Sequence, residues 1–142
     1  MKDELGQDED ILDVVSLEDQ VIGRATRREV HLQSLVYRSV HIMVFNSKDD
    51  LYLQKRVLSK EENPGPWDSS AAGHVESNED YLTCANRELM EELGIVCVLE
   101  EKFRLRACAE TSWEHIAVYL CVSDREPIPN PSEIIKGMFM DY

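Results

Sequence analysis

The chain has 142 residues, enough for one domain with a sizeable core and too few for two. Twenty-eight acidic against fifteen basic residues give a net charge of −13, which argues against general binding to nucleic acid or to an anionic membrane surface. No stretch reaches the length of a membrane span and no signal peptide pattern opens the chain, so a cytoplasmic protein is expected.

Residues 1–10 are acidic and aperiodic and are expected to be a disordered tail ahead of a single domain over 11–142. Ile11 to Ala25 alternates around Glu18-Asp19-Gln20 and reads as a hairpin. Thr26 to Leu35 mixes basic and apolar residues without a clear period, either a short helix or a loop. Val36 to Asn46 is a strong strand, followed by the turn Ser47-Lys48-Asp49-Asp50 and a strand from Leu51 to Val57. A Pro64-Gly65-Pro66 loop leads to Trp67, read as a core residue, and then to a helix. Phe103 to Ala109 and His115 to Val122 read as two further strands, and Ile134 to Met140 as a last short one after Pro127, Pro129 and Pro131. Strands on both sides of an amphipathic helix indicate an α/β layered domain.

That central helix carries the chemistry. Leu82, Ala85, Leu89 and Leu93 recur at helical spacing and predict a core-facing stripe, with the carboxylates lying away from it. Gly94 suits the C′ stop, and Ser77 and Asn78 are available as caps ahead of Glu79 and Asp80. Glu88, Glu91 and Glu92 stand at i, i+3 and i+4, so a helix gathers three carboxylates on one face. Like charges this close repel by roughly 0.2–0.5 kcal/mol per pair, and a cation between them removes that cost. Oxygen-only ligands suit a hard ion such as Mg²⁺ or Mn²⁺, which keeps some water and takes further contacts from substrate phosphates. The four cysteines lack paired C-x-x-C spacing, so zinc is not expected; Cys84, one turn before Glu88, reads as a small packed residue.

The run from Gly73 to Ile95 resembles the signature of the Nudix superfamily. Gly73, Glu79, Arg87, Glu88, Leu89, Glu91, Glu92, Gly94 and Ile95 meet every fixed position of that pattern. The resemblance implies an α/β/α sandwich around a mixed sheet, covered on one side by a C-terminal helix that this chain would lack. A truncation, or a partner such as a second copy forming a homodimer, would account for that. It also implies divalent metal held by Glu88, Glu91 and Glu92 with the Gly73 carbonyl, bridging a small-molecule diphosphate substrate and activating water. Arg87 would orient a neighbouring carboxylate, and Glu79 would tie the loop to the helix.

Segments Gln20–Arg24, Arg28–His31, Leu58–Gly65 and Trp67–His74 look like the isopentenyl-diphosphate isomerase-like branch, which contains both isomerases and diphosphate hydrolases. True isomerases carry a proton-transfer cysteine before the Gly-His pair. Ala72 stands there. Of the isomerase metal ligands, His74 and Glu114 have matches and His31 a looser one, while Tyr37 and Ser112 stand at the other two positions. By the same resemblance Arg56 and Lys60 would hold the diphosphate, as arginine suits bidentate phosphate contact. Glu114 is a further ligand, a catalytic base or a solvated edge residue; His74 is read as a loop hydrogen-bonder, and Trp113 as a candidate pocket wall. The expected function is a Mg²⁺-dependent hydrolase of a small nucleoside-diphosphate-type compound, with Glu91, Glu92 and Glu114 catalytic. The alternatives are an isomerase-type enzyme, disfavoured by Ala72, and a non-catalytic Nudix module for ligand sensing.

Overall fold

The computed structural model describes residues 10–56, 67–130 and 134–140. Most of the proposed acidic tail and all of Lys60 lie outside the described residues, as do the side chains of Arg56 and Trp67.

The chain opens with an antiparallel hairpin of β1 (Ile11–Val15) and β2 (Val21–Thr26). The segment left open between helix and loop is a helix, α1 (Arg27–Gln33), because Thr26 and Glu29 form a reciprocal capping box. A small core of Leu12, Val30 and Tyr37 joins this unit to the start of β3 (Tyr37–Phe45).

The main sheet is mixed. It runs β5 (Trp67–Asp68), β4 (Leu51–Arg56), β3, β8 (Glu114–Val122), β7 (Glu100–Leu105), with β6 (Ala71–His74) beside β3 and β9 (Ile134–Met140) beside β4. β3 and β8 are parallel and in register for nine residues, from Tyr37↔Glu114 to Phe45↔Val122. The remaining pairings are antiparallel. The last predicted strand has the observed bounds. The strand expected from Phe103 to Ala109 instead ends at Leu105, since Ala109 begins a 3₁₀ turn (Ala109–Thr111). Two consecutive left-handed residues, Ser112 and Trp113, then bring the chain back into β8.

One face of the sheet is covered by α2 (Tyr81–Leu93). Strand alternation sends Val40, Ile42 and Val44 of β3 and Ala117, Tyr119 and Cys121 of β8 against its Ala85, Leu89 and Leu93. Leu82 does not belong to that stripe. It is 48% exposed, and Tyr81 and Cys84 take the buried positions at that end of the helix. The helix begins at Asp80, whose carboxylate accepts from Thr83 N at 2.7 Å, so the cap is Asp80 and not Ser77 or Asn78. Gly94 ends it at φ +67°, as its position requires. Among the described residues no helix is long and apolar enough to cross a membrane, and no α-helix follows α2.

Candidate active site

The acidic face is built where α2 meets β6. The register Val40↔Gly73 sets β6 against the middle of β3, and α2 packs across both. Gly73 is required here by close approach: a Cβ at this position would collide with the carboxyl and Cγ of Glu88. The Glu88 carboxyl, 13% exposed, therefore lies directly over the strand backbone.

Glu92 departs from expectation. It is 1% exposed, so the carboxylates do not all lie away from the core-facing stripe. Its Oε1 accepts from Gln54 Nε2 and its Oε2 from Ala72 N, both at 3.2 Å. The helix turn brings Glu88 within hydrogen-bonding reach of Glu92, while burial pushes the Glu88 carboxyl above the usual carboxylate range, against the pull of Glu92 and Arg87. Two buried carboxyl groups this close cannot both hold their charge cheaply without a counter-ion.

Arg87 supplies part of that charge. Its Nε and Nη2 bind both oxygens of Glu79, at 2.8 and 2.9 Å, and its Nη1 reaches Glu88 Oε1 at 2.8 Å. Weaker contacts run to Glu91 and to the His74 carbonyl. Burial raises the Glu79 pKa, and the hydrogen bonds and charge of Arg87 together with the Glu76 N–H more than offset it, leaving the carboxyl below its usual range. Glu79 also accepts from Glu76 N at 3.1 Å, fixing the loop after β6. The hairpin braces the same loop: Asp13, 6% exposed, accepts from Ser77 and Asn78. Cys84 is fully buried, donates its thiol to the His74 carbonyl at 3.4 Å, and has its pKa pushed up by burial, which makes it an inert packed residue.

The donor chemistry, two carboxyl groups within hydrogen-bonding reach of each other, fits a hard divalent cation. Glu91 lies at the outer edge, its side chain 57% exposed and turned to Arg87. Among the described residues no three His, Cys, Asp or Glu side chains are drawn together as a ligand set.

A second grouping forms at the ends of β3 and β8. The rings of His31 and His74 both pack edge-on against Tyr37, at 5.7 and 5.1 Å, and against each other at 5.7 Å. Glu114 is the register partner of Tyr37. Trp113 lies on the turn before β8, 38% exposed. Sequence reasoning missed Gln54 and the pair His41–Ser69, joined through Nδ1 and Oγ at 3.1 Å. For Gln54 and His41 the one signal was a polar side chain on a strand otherwise rich in apolar residues; Ser69, between β5 and β6, gave none.

A close glycine–glutamate contact, a helix of acids and a bridging arginine on a mixed sheet define a domain of the Nudix kind. The NUDIX domain model matches residues 35–142, and the chain belongs to that family. It is an enzyme of the Nudix hydrolase class. Isopentenyl-diphosphate Delta-isomerase 1 of Aromatoleum aromaticum is 34% identical over 140 residues, covering 94% of this chain and 78% of the relative. An uncharacterised Nudix hydrolase of Pseudomonas aeruginosa is 36% identical over 134 residues, covering 94% and 79%. The crystal structure of the Deinococcus radiodurans protein DR0079 superposes with a TM-score of 0.82 at 30% identity, over 92% of this chain and 82% of that one.

Proposed function

We propose that residues 11–142 act as one Nudix domain that hydrolyses a diphosphate linkage in a small nucleoside-diphosphate-type compound, with Mg²⁺, or Mn²⁺ in its place. The observation that carries this reading is the Glu88 carboxyl packed over Gly73 within hydrogen-bonding reach of Glu92. Glu88 and Glu92 would hold the ion with the Gly73 carbonyl, and Glu91 would join from the exposed edge. When bound, the ion supplies charge neutralisation on the diphosphate and a more acidic water. The chain's own residues do the rest. Gln54 and Ala72 N–H fix the Glu92 carboxylate, and Arg87 holds Glu88 at its working height. Arg56 and Lys60 would grip the diphosphate, and Glu114 would serve as base or further ligand. A screen of nucleotide, sugar and isoprenoid diphosphates, with phosphate release measured with and without Mg²⁺, tests the reading. Release that is absent, or indifferent to Mg²⁺, would reject it.

A second reading, an isomerase-type enzyme, is favoured by the gathering of His31 and His74 around Tyr37 opposite Glu114. The names of several relatives point the same way. Against it stands Ala72, whose methyl can neither donate nor accept a proton. Purified protein given isopentenyl diphosphate should leave it unconverted to the dimethylallyl isomer; steady interconversion would make this second reading the correct one.

A further inference from the structure

The face of the sheet opposite α2 carries a cleft of about 430 Å³. Met43, Leu53, Phe103, Ile116 and Val118 are among its walls, and His41 and Ser69 add polar side chains. The strand registers order it. Ala72 pairs with His41, His41 with Val118, and Val118 with Phe103, so these four form one cross-strand row. Ala72 is also the residue whose N–H binds Glu92. The row therefore starts on the strand whose backbone binds Glu92, on the face turned away from α2, and runs from a methyl group, past an imidazole, to a valine and a half-exposed phenylalanine.

We propose that His41, oriented by Ser69, is the specificity-determining residue that reads the organic group of the diphosphate substrate. The inference rests on the acidic face being the diphosphate site. A diphosphate held beside Glu92 sends its substituent past β6 at Ala72, the smallest side chain of the row, into the cleft on the far face. The first polar side chain it meets is His41. Nδ1 is held by Ser69 Oγ, which in turn reaches the Ala71 carbonyl at 3.4 Å. That fixes the ring plane. With the Ser69 proton given to the Ala71 carbonyl, Nδ1–H donates to Ser69 Oγ and Nε2 accepts a ligand hydrogen bond, in exchange for a contact the side chain makes in the unliganded protein. Beyond this point the walls are apolar, and a charged group there would lose its hydration without a partner. The substituent that fits is a neutral ring with one hydrogen-bond-donating edge and an apolar far side. A purely hydrocarbon group covers His41 without replacing the hydrogen bond its burial removes.

Three probes separate the parts: methylenediphosphonate, its benzyl ester and its 3-hydroxybenzyl ester, titrated calorimetrically into the protein with Mg²⁺. Bare methylenediphosphonate reports the acidic site alone. The hydroxybenzyl ester, whose O–H donates to Nε2, should bind about five- to tenfold more tightly than the benzyl ester, the range of one neutral hydrogen bond. His41→Phe, which keeps the ring, should erase that ratio and leave the bare probe's affinity unchanged. Ser69→Ala should reduce the ratio and gives a second variant if His41→Phe fails to fold. Equal binding of the two esters by the wild type, or a ratio that survives in a folded His41→Phe or Ser69→Ala protein, overturns the assignment of His41. If the bare probe shows no Mg²⁺-dependent binding, the acidic-face reading fails and takes this inference with it.

Discussion

The carboxyl group of Glu88 occupies the space in which a side chain at Gly73 would begin. That contact links strand β6 to helix α2 and sets how high the acidic face stands above the sheet. A glycine and a glutamate fifteen positions apart are thus one structural unit.

Gly73→Ala should test this unit. The added methyl forces Glu88 out of place, and overpacking of this kind costs about 1–3 kcal/mol. Thermal melts should show a lower Tm and a loss of Mg²⁺ stabilisation. Adding Glu88→Ala to Gly73→Ala removes the collision, so the double variant should recover stability relative to the single one. Strict additivity in the melts would show that the contact is not what makes Gly73 necessary.

Glu92→Gln should lower kcat by at least about 10², the lower bound for loss of a metal-activation or general-base term. Its metal-free stability should match the wild type or exceed it slightly, by a few tenths of a kcal/mol, through relief of like-charge repulsion. The structure shows why the amide is tolerated. Among the described residues Gln54 Oε1 is buried without a hydrogen-bond partner, and turning the Gln54 amide over lets that oxygen accept from the new amide at position 92. In a Gln54→Leu background this rescue is gone, and Glu92→Gln should become destabilising. Chemical denaturation of the four proteins in EDTA checks the sign.

Arg87→Ala leaves Glu79 and Glu88 with their charges partly buried and without the guanidinium between them. A loss of about 1.5–3 kcal/mol is expected at neutral pH, below that of a fully buried pair because both partners keep some solvent contact. Glu79 has a folded pKa below its ordinary value of 4.5. Its contribution is therefore present above about pH 4.5 and disappears as pH falls through the lower, folded value. The stability gap between wild type and Arg87→Ala should narrow on acidification through that window. A gap independent of pH would assign the Arg87 effect to packing.

Arg56→Ala should raise KM for the diphosphate substrate, since charge-assisted hydrogen bonds to phosphate contribute about 1.5–3 kcal/mol each. Mg²⁺ affinity without substrate should barely change. An unaltered KM would reduce Arg56 to a surface charge.

Much of the site could be read before any coordinates, because local pattern encodes it. Glu88, Glu91 and Glu92 share a face through helical spacing alone, and Gly94 caps the helix through its own conformational freedom. What escaped reading depends on packing between distant segments. Leu82 fits the stripe by period, yet the sheet ends short of it and leaves it half exposed. Glu92 has the same local signature as Glu91, but it faces Gln54 on a strand thirty-eight residues away and is buried. The chain before β8 was misjudged because a 3₁₀ turn and two left-handed residues replace what looked like strand. His41 stood out only as a polar residue on an apolar strand, and its pairing with Ser69 needs the tertiary fold.

The most direct test of the central claim follows oxygen. A diphosphate substrate found by screening is turned over with Mg²⁺ in ¹⁸O-labelled water, and the products are resolved by phosphorus NMR. Water attack on phosphorus, directed by the acidic face, predicts label in one phosphoryl product, with its formation at least about 10²-fold slower in Glu92→Gln. Label in the alcohol product, an unlabelled rearranged diphosphate, or undiminished turnover by Glu92→Gln would contradict the account.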